Sequence, residues 1–64
     1  NEFMKECRSL LEISLDEAAE ISGVSKSHIW QIEAGNAEPS LRIAACLGEA
    51  YGISLESMAS YLRS

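Results

Sequence analysis

"GVSKSHIWQIEAG", residues 23–35, is the stretch that decides the fold, because it has the pattern of a short helix between two glycines. Ser25 can accept a hydrogen bond from the first helical turn, and Val24 and Ile29 occupy the two positions of a hydrophobic staple. Gly35 stands where a left-handed residue commonly ends a helix. The stretch therefore predicts a helix that starts after Ser25 and stops at Gly35.

The two sides of this helix differ in chemistry when successive residues are placed about 100° apart. One side carries Ser25, Ile29 and Ile32, with Glu33 on its flank. The opposite side carries polar and aromatic groups and no carboxylate: Ser27, Trp30, Gln31 and Ala34, with Lys26 at its edge and His28 on the other flank. A helix of this kind can enter the major groove, where Gln and Lys read base edges. The same residues also fit a polar surface that is merely exposed to water.

The preceding residues supply a second helix and a tight turn. Ser14 and Glu17 have the spacing of a capping box, which predicts a helix from Leu15 to about Ser22. Gly23 tolerates a positive φ in the turn, and the small Ala19 lets two helices approach closely. Two helices joined by a short turn that contains glycine are typical of a helix-turn-helix.

Apolar residues recur at helical spacing in the rest of the chain and predict three further helices. The first helix is expected from about Glu2 to Glu12, and the fourth, capped by Ser40, over Leu41–Tyr51. Gly48 within the fourth helix indicates a close helix contact. The apolar positions of the first helix are Phe3, Met4, Cys7, Leu10 and Leu11.

The fifth helix is expected to follow the cap Ser54 and to be stapled by Ile53 and Met58. Its inner stripe is expected to be Leu55, Met58, Ala59 and Leu62. The chain is therefore predicted to be all-α, with five short helices.

Length and charge bound the function. The 64 residues predict one domain, residues 1–64. Ten carboxylates against five lysines and arginines give a formal net charge of −5, which argues against a nucleic-acid partner. No apolar run is long enough to span a membrane, and no secretory signal pattern opens the chain. A cytoplasmic protein is expected.

Catalytic and metal chemistry are not expected. Cys7, Cys46 and the single histidine, His28, lack the spacing of metal ligands, so we expect two reduced thiols and neither metal nor cofactor. The chain offers no general base with an evident orienting partner and no glycine-rich phosphate loop, so it is not expected to be an enzyme.

The segment "SLDEAAEISGVSKSHIWQIEAGNAEPSL", residues 14–41, resembles the helix-turn-helix domains of phage repressors and Cro, the XRE-type or lambda-repressor-like group. The resemblance extends from about Met4 to Leu62 and also includes "YGISLESM", residues 51–58. It implies a compact five-helix domain whose third helix enters the major groove of a double-stranded DNA operator. It also implies a sequence-specific transcriptional regulator of the repressor type that binds as a homodimer.

The resemblance assigns roles by position. Lys26, Ser27 and Gln31 are the implied base-reading residues, with Gln31 pairing to adenine and Lys26 to guanine or a nearby phosphate. Arg8 and Glu33 match a structural ion pair between the first and third helices. The implied contacts to the DNA backbone or to the flanks of the site are Ser14, Ser25, His28, Trp30, Asn36, Ser40 and Arg42.

The chain departs from the family where phosphates are usually bound. Leu15 stands in place of a common Gln, Ala34 and Asn36 replace basic residues, and Glu38 adds a negative charge. About two or three phosphates per protomer remain to be neutralised, which predicts weak binding by one copy and a need for two copies on half-sites about one helical turn apart.

Two questions stay open at this point. Trp30 fits a contact with a sugar–phosphate strand or a thymine methyl group, but it also fits a position flat against the loop that follows the third helix. The rival function is a protein-binding module of the same fold, which has lost DNA affinity and docks a partner through Trp30 or Tyr61. Tyr61 and Leu62 are also the candidates for a dimer contact.

Overall fold

A computed structural model describes residues 2–63; the side chains of Glu2, Leu55, Leu62 and Arg63 lie outside its description. Within this part the Cα radius of gyration is 10.3 Å, close to the ~11 Å expected for a compact chain of this length. The all-α, five-helix prediction is confirmed. The helices are α1 Glu2–Leu10, α2 Leu15–Ser22, α3 Lys26–Glu33, α4 Leu41–Tyr51 and α5 Leu55–Arg63.

Every helix contributes to one hydrophobic core. Among the described residues, α4 supplies the largest share, with Ala44, Leu47 and Tyr51. Burial of these apolar side chains is the main force that holds helices this short together. The buried set is Met4, Ala18, Val24, Ile29, Ile32, Ala44, Leu47, Tyr51 and Met58.

The predicted end of the first helix is wrong. α1 ends at Leu10, two residues before Glu12, and its last turn is closed by the Glu12 N–H, which donates to the Ser9 carbonyl at 3.0 Å. Leu10 is 84% exposed and Leu11 45% exposed, so neither leucine has a partner in the core. Their apolar spacing extended the prediction beyond the point where the backbone turns.

Glu12 adopts a left-handed conformation, with a φ of 57°. A side chain with a Cβ pays about 1–2 kcal/mol in that region, and glycine does not. Glu12→Gly is therefore expected to raise the free energy of unfolding by about 1 kcal/mol, which corresponds to a rise in Tm of about 4–8 °C. Thermal unfolding followed by circular dichroism measures the change. Glu12→Ala is the control, because it removes the carboxylate but keeps the Cβ; an equal gain in both variants would contradict the backbone explanation.

The α4–α5 contact is close. A Cβ placed on Gly48 would lie 3.0 Å from Cγ of Met58, which confirms that the glycine permits the approach of the two helices. Met58 is buried as predicted, but Ala59 is exposed, so its place on the inner stripe is wrong. Leu55 and Leu62, the other predicted stripe residues, lie outside the described side chains.

Tyr61 is already engaged within the domain. It is partly buried, and its ring stacks on Phe3 of α1 with centroids 4.9 Å apart and planes 15° apart. A Tyr61 side chain held in this way ties α5 to the start of α1. The dimer contact expected at Tyr61 and Leu62 therefore has to form around a ring that packs inside its own protomer.

No helix among the described residues is long and apolar enough to cross a membrane. The same part of the chain holds no group of three or more His, Cys, Asp or Glu side chains placed to bind a metal ion. Cys7 and Cys46 are free thiols. Burial and the nearby Glu6 carboxylate raise the pKa of Cys7, which favours its neutral form.

Candidate nucleic-acid interface

The turn between α2 and α3 consists of three residues, 23–25, and each has a defined task. Gly23 has a φ of 75°, and its N–H donates to the Ala19 carbonyl at 2.9 Å. The Val24 N–H donates to Oγ of Ser22 at 3.1 Å, while the Val24 side chain is buried. Ser25 caps α3 by accepting the His28 N–H at 3.2 Å. These bonds fix the angle at which α3 leaves α2.

The other helix caps follow the sequence prediction. Ser14 and Glu17 form both hydrogen bonds of the capping box, each at 3.1 Å. Ser40 accepts the Ile43 N–H at 3.2 Å, and Ser54 accepts the Ser57 N–H at 3.2 Å. Capped ends satisfy backbone donors that short helices would otherwise leave exposed, so these serines set the boundaries of α2, α4 and α5.

α3 has one buried side and one open side, as its helical wheel predicts. Ile29 and Ile32 are each 1% exposed and anchor the helix to the core. On the opposite side Ser27 and Trp30 are exposed and Gln31 is partly exposed. We call Lys26, Ser27, Trp30 and Gln31 the outer face of α3. None of these residues is covered completely by the described part of the chain, so the face is open to a partner.

The only carboxylate of α3, on Glu33, is held away from this outer face. Arg8 donates to it twice, from Nε to Oε2 at 2.8 Å and from Nη2 to Oε1 at 3.0 Å. Nη1 of the same guanidinium donates to the Ile13 carbonyl at 2.9 Å. The side chains are only 16% and 7% exposed, and the hydrogen bonds to Glu33 raise the pKa of Arg8. One arginine thus joins α1, the following loop and α3.

Lys26 already has an acidic partner. Its Nζ lies 3.2 Å from Oδ1 of Asp16, in the first turn of α2, and both side chains are mostly exposed. The helical wheel of α3 gave no signal for this pair, because Asp16 lies on another helix. Exposed ion pairs contribute about 0–1 kcal/mol, so Lys26 can leave Asp16 at a small cost. A nucleic acid at this face must still approach the Asp16 carboxylate.

The residues assigned to the DNA backbone differ in accessibility. Asn36 and Arg42 are exposed, and the Asn36 N–H already donates to the Gln31 carbonyl at 2.9 Å. His28 is partly buried, and its Nε2 is enclosed without a hydrogen-bond partner in the described part of the chain. A phosphate contact by His28 therefore cannot use Nε2 in the described rotamer.

Trp30 borders a shallow depression on the outer face. It is 51% exposed and lines the depression together with Leu15, Lys26 and Ser27, whose exposed surface there is almost entirely apolar. Sequence reasoning placed Trp30 outward but did not connect it with Leu15, because the contact depends on how α2 and α3 pack. We call this feature the Leu15–Trp30 depression.

A family model described as helix-turn-helix matches residues 4–58. The chain belongs to this family. Because the family is the XRE-type group that includes lambda repressor and Cro, the resemblance found in the sequence is confirmed, and so is the lambda-repressor-like fold. Membership makes the chain a DNA-binding helix-turn-helix regulator in general terms. No curated protein and no solved structure matches the chain.

Proposed function

We propose that the domain is a sequence-specific transcriptional regulator of the repressor type, which inserts α3 into the major groove of double-stranded operator DNA. The observation that carries the proposal is the bidentate Arg8–Glu33 pair. It removes the only carboxylate of α3 from the outer face and leaves Ser27 and Gln31 free to meet bases. The domain acts by binding rather than catalysis, and its place of action is the cytoplasm.

The outer face supplies the groups that reading of bases requires. The Gln31 amide can donate to and accept from the adenine edge, and the Ser27 hydroxyl suits any base. Lys26 reaches guanine or a phosphate once it leaves Asp16. The capped ends of α2, α3 and α4 at Ser14, Ser25 and Ser40 present backbone N–H groups and positive helix ends, which suit phosphates.

The proposed complex contains two copies of the domain, residues 1–64. Lys26 is exposed on the outer face and Arg42 is exposed on α4, so one copy neutralises about two or three phosphates. Binding of one copy is then weak, and a homodimer on two half-sites about one helical turn apart combines two weak contacts.

The rival function, a protein-binding module, is favoured by two observations. The chain carries a formal net charge of −5, and the cation of the outer face is paired with Asp16. Tryptophan, the residue type exposed at position 30, is in addition enriched at protein interfaces. The two functions differ in how binding depends on salt and on Lys26.

A salt titration tests the proposal. The domain is mixed with fluorescent random duplex DNA at about 50 mM salt and above, and anisotropy measures the binding constant at each concentration. We expect a plot of the logarithm of the binding constant against the logarithm of the salt concentration to have a slope of about −2 to −3. Lys26→Ala is expected to make this slope less negative by about 1. Asp16→Asn, which frees Lys26 and removes a carboxylate, is expected to strengthen binding about five-fold.

Lys5→Ala is the matched control for Lys26→Ala. Lys5 is also an exposed lysine, but it lies on α1 beside Glu6, Ser9 and Leu10, away from the outer face of α3. It should leave the slope unchanged. Equal effects of the two substitutions would show attraction by total charge alone, and an absence of binding to any duplex at about 50 mM salt would contradict the proposed function.

A further inference from the structure

The Leu15–Trp30 depression adds apolar surface to the outer face of α3, whose other side chains, Lys26, Ser27 and Gln31, are polar. Leu15 is partly buried and Trp30 is 51% exposed, so neither side chain is fully enclosed by the core. An indole left half in water beside a leucine is a place where an apolar group of a partner gains free energy by burial.

The occupant must be a group that double-stranded DNA presents in its major groove. There the apolar group of the bases is the C5 methyl of thymine. Ser27 lines the depression and Gln31 lies next to Trp30 on the same face, so a methyl group in the depression belongs to a base pair at or beside the pair that Gln31 contacts. The methyl group would therefore belong to a base pair that α3 already contacts.

The charges beside the depression disfavour the alternative DNA contact of Trp30, a sugar–phosphate strand. The only cation that lines the depression, Lys26, is neutralised by Asp16 at 3.2 Å. When Lys26 turns toward DNA, the Asp16 carboxylate loses its cation and disfavours a phosphate in the depression itself, while the capped end of α2 at Ser14 stays available to a phosphate. A neutral methyl group meets neither obstacle.

We propose that the Leu15–Trp30 depression binds a thymine C5 methyl group and so makes Leu15 and Trp30 specificity-determining residues for thymine. This inference rests on the proposed function, because it requires α3 to lie in the major groove. Leu15 stands where the family commonly has Gln, so the depression is a feature in which this chain differs from the common family sequence.

Replacement of thymine by uracil tests the inference, because deoxyuridine lacks only the methyl group. Duplexes that the domain binds are first selected from a random pool, and each thymine of the selected site is then replaced singly by deoxyuridine. Anisotropy is expected to show about four-fold weaker binding at one position per half-site, the effect of one buried methyl group. Replacement at the other thymines is expected to change binding by less than about two-fold.

Two variants connect that preference with the depression. Trp30→Ala and Leu15→Ala are each expected to reduce the thymine preference to less than about two-fold. Leu10→Ala is the control, because Leu10 is 84% exposed on α1 and does not line the depression; it should keep the preference in full. Circular dichroism verifies that all three variants keep their helices.

The outcomes separate the inference from the proposed function. If the selected duplex binds equally well with uracil at every thymine position, or if both variants keep the thymine preference, the inference is wrong while DNA reading by α3 stands. If the random pool yields no bound duplex at all, the proposed function fails and the inference falls with it.

Discussion

Arg8→Met is expected to lower the free energy of unfolding by about 3–5 kcal/mol, the usual cost of removing one partner from a buried ion pair. The Glu33 carboxylate, whose side chain is only 7% exposed, would lose both hydrogen bonds that neutralise it. The Ile13 carbonyl would lose its donor as well. A domain of this length is stable by about 3–10 kcal/mol, so the substitution should remove between about a third and all of that stability.

Urea denaturation followed by circular dichroism measures this loss. Arg42→Met is the matched control, since it removes the same charge from an exposed arginine on α4 and should shift stability by less than about 0.5 kcal/mol. Combining Arg8→Met with Glu33→Leu removes both charges and should recover most of the loss. Equal stabilities of the Arg8 and Arg42 variants would show that the pair does not stabilise the fold.

The helix boundaries that the sequence predicted well are those set by local signals. Ser14, Ser25 and Ser40 each bond to a backbone N–H three residues later, so a few neighbouring residues determine the starts of α2, α3 and α4. The end of α1 had no such signal. Glu12 takes the left-handed position that Gly23 and Gly52 occupy elsewhere, and a glutamate there does not reveal the turn.

The chemistry of the outer face could be predicted only in part for a related reason. A helical wheel separates Ile29 and Ile32 from Ser27 and Trp30 because these residues share one helix. Neither Asp16 beside Lys26 nor Leu15 beside Trp30 follows from a wheel, since each pair joins α2 to α3. Contacts between elements depend on crossing angle and register, which the turn at Gly23 fixes in three dimensions. The same limit hid the enclosed Nε2 of His28.

Gln31→Ala is expected to weaken binding to a selected operator about 5-fold to 150-fold, the range for loss of one bidentate base contact. Binding to random duplex should change by less than about two-fold, because phosphate contacts carry no sequence information. Competition titrations of the selected site against random duplex measure both constants for the same protein sample.

The ratio of the two constants is the informative quantity, because a folding defect would lower both together. Asn36→Ala is the matched control: it removes an exposed side-chain amide just after α3, while the backbone N–H that bonds to the Gln31 carbonyl remains. It should weaken selected and random duplexes by the same small factor. If Gln31→Ala also weakened binding to both duplexes by the same factor, the Gln31 amide would contact the DNA backbone and not a base. Base reading would then have to depend on the remaining groups of the outer face.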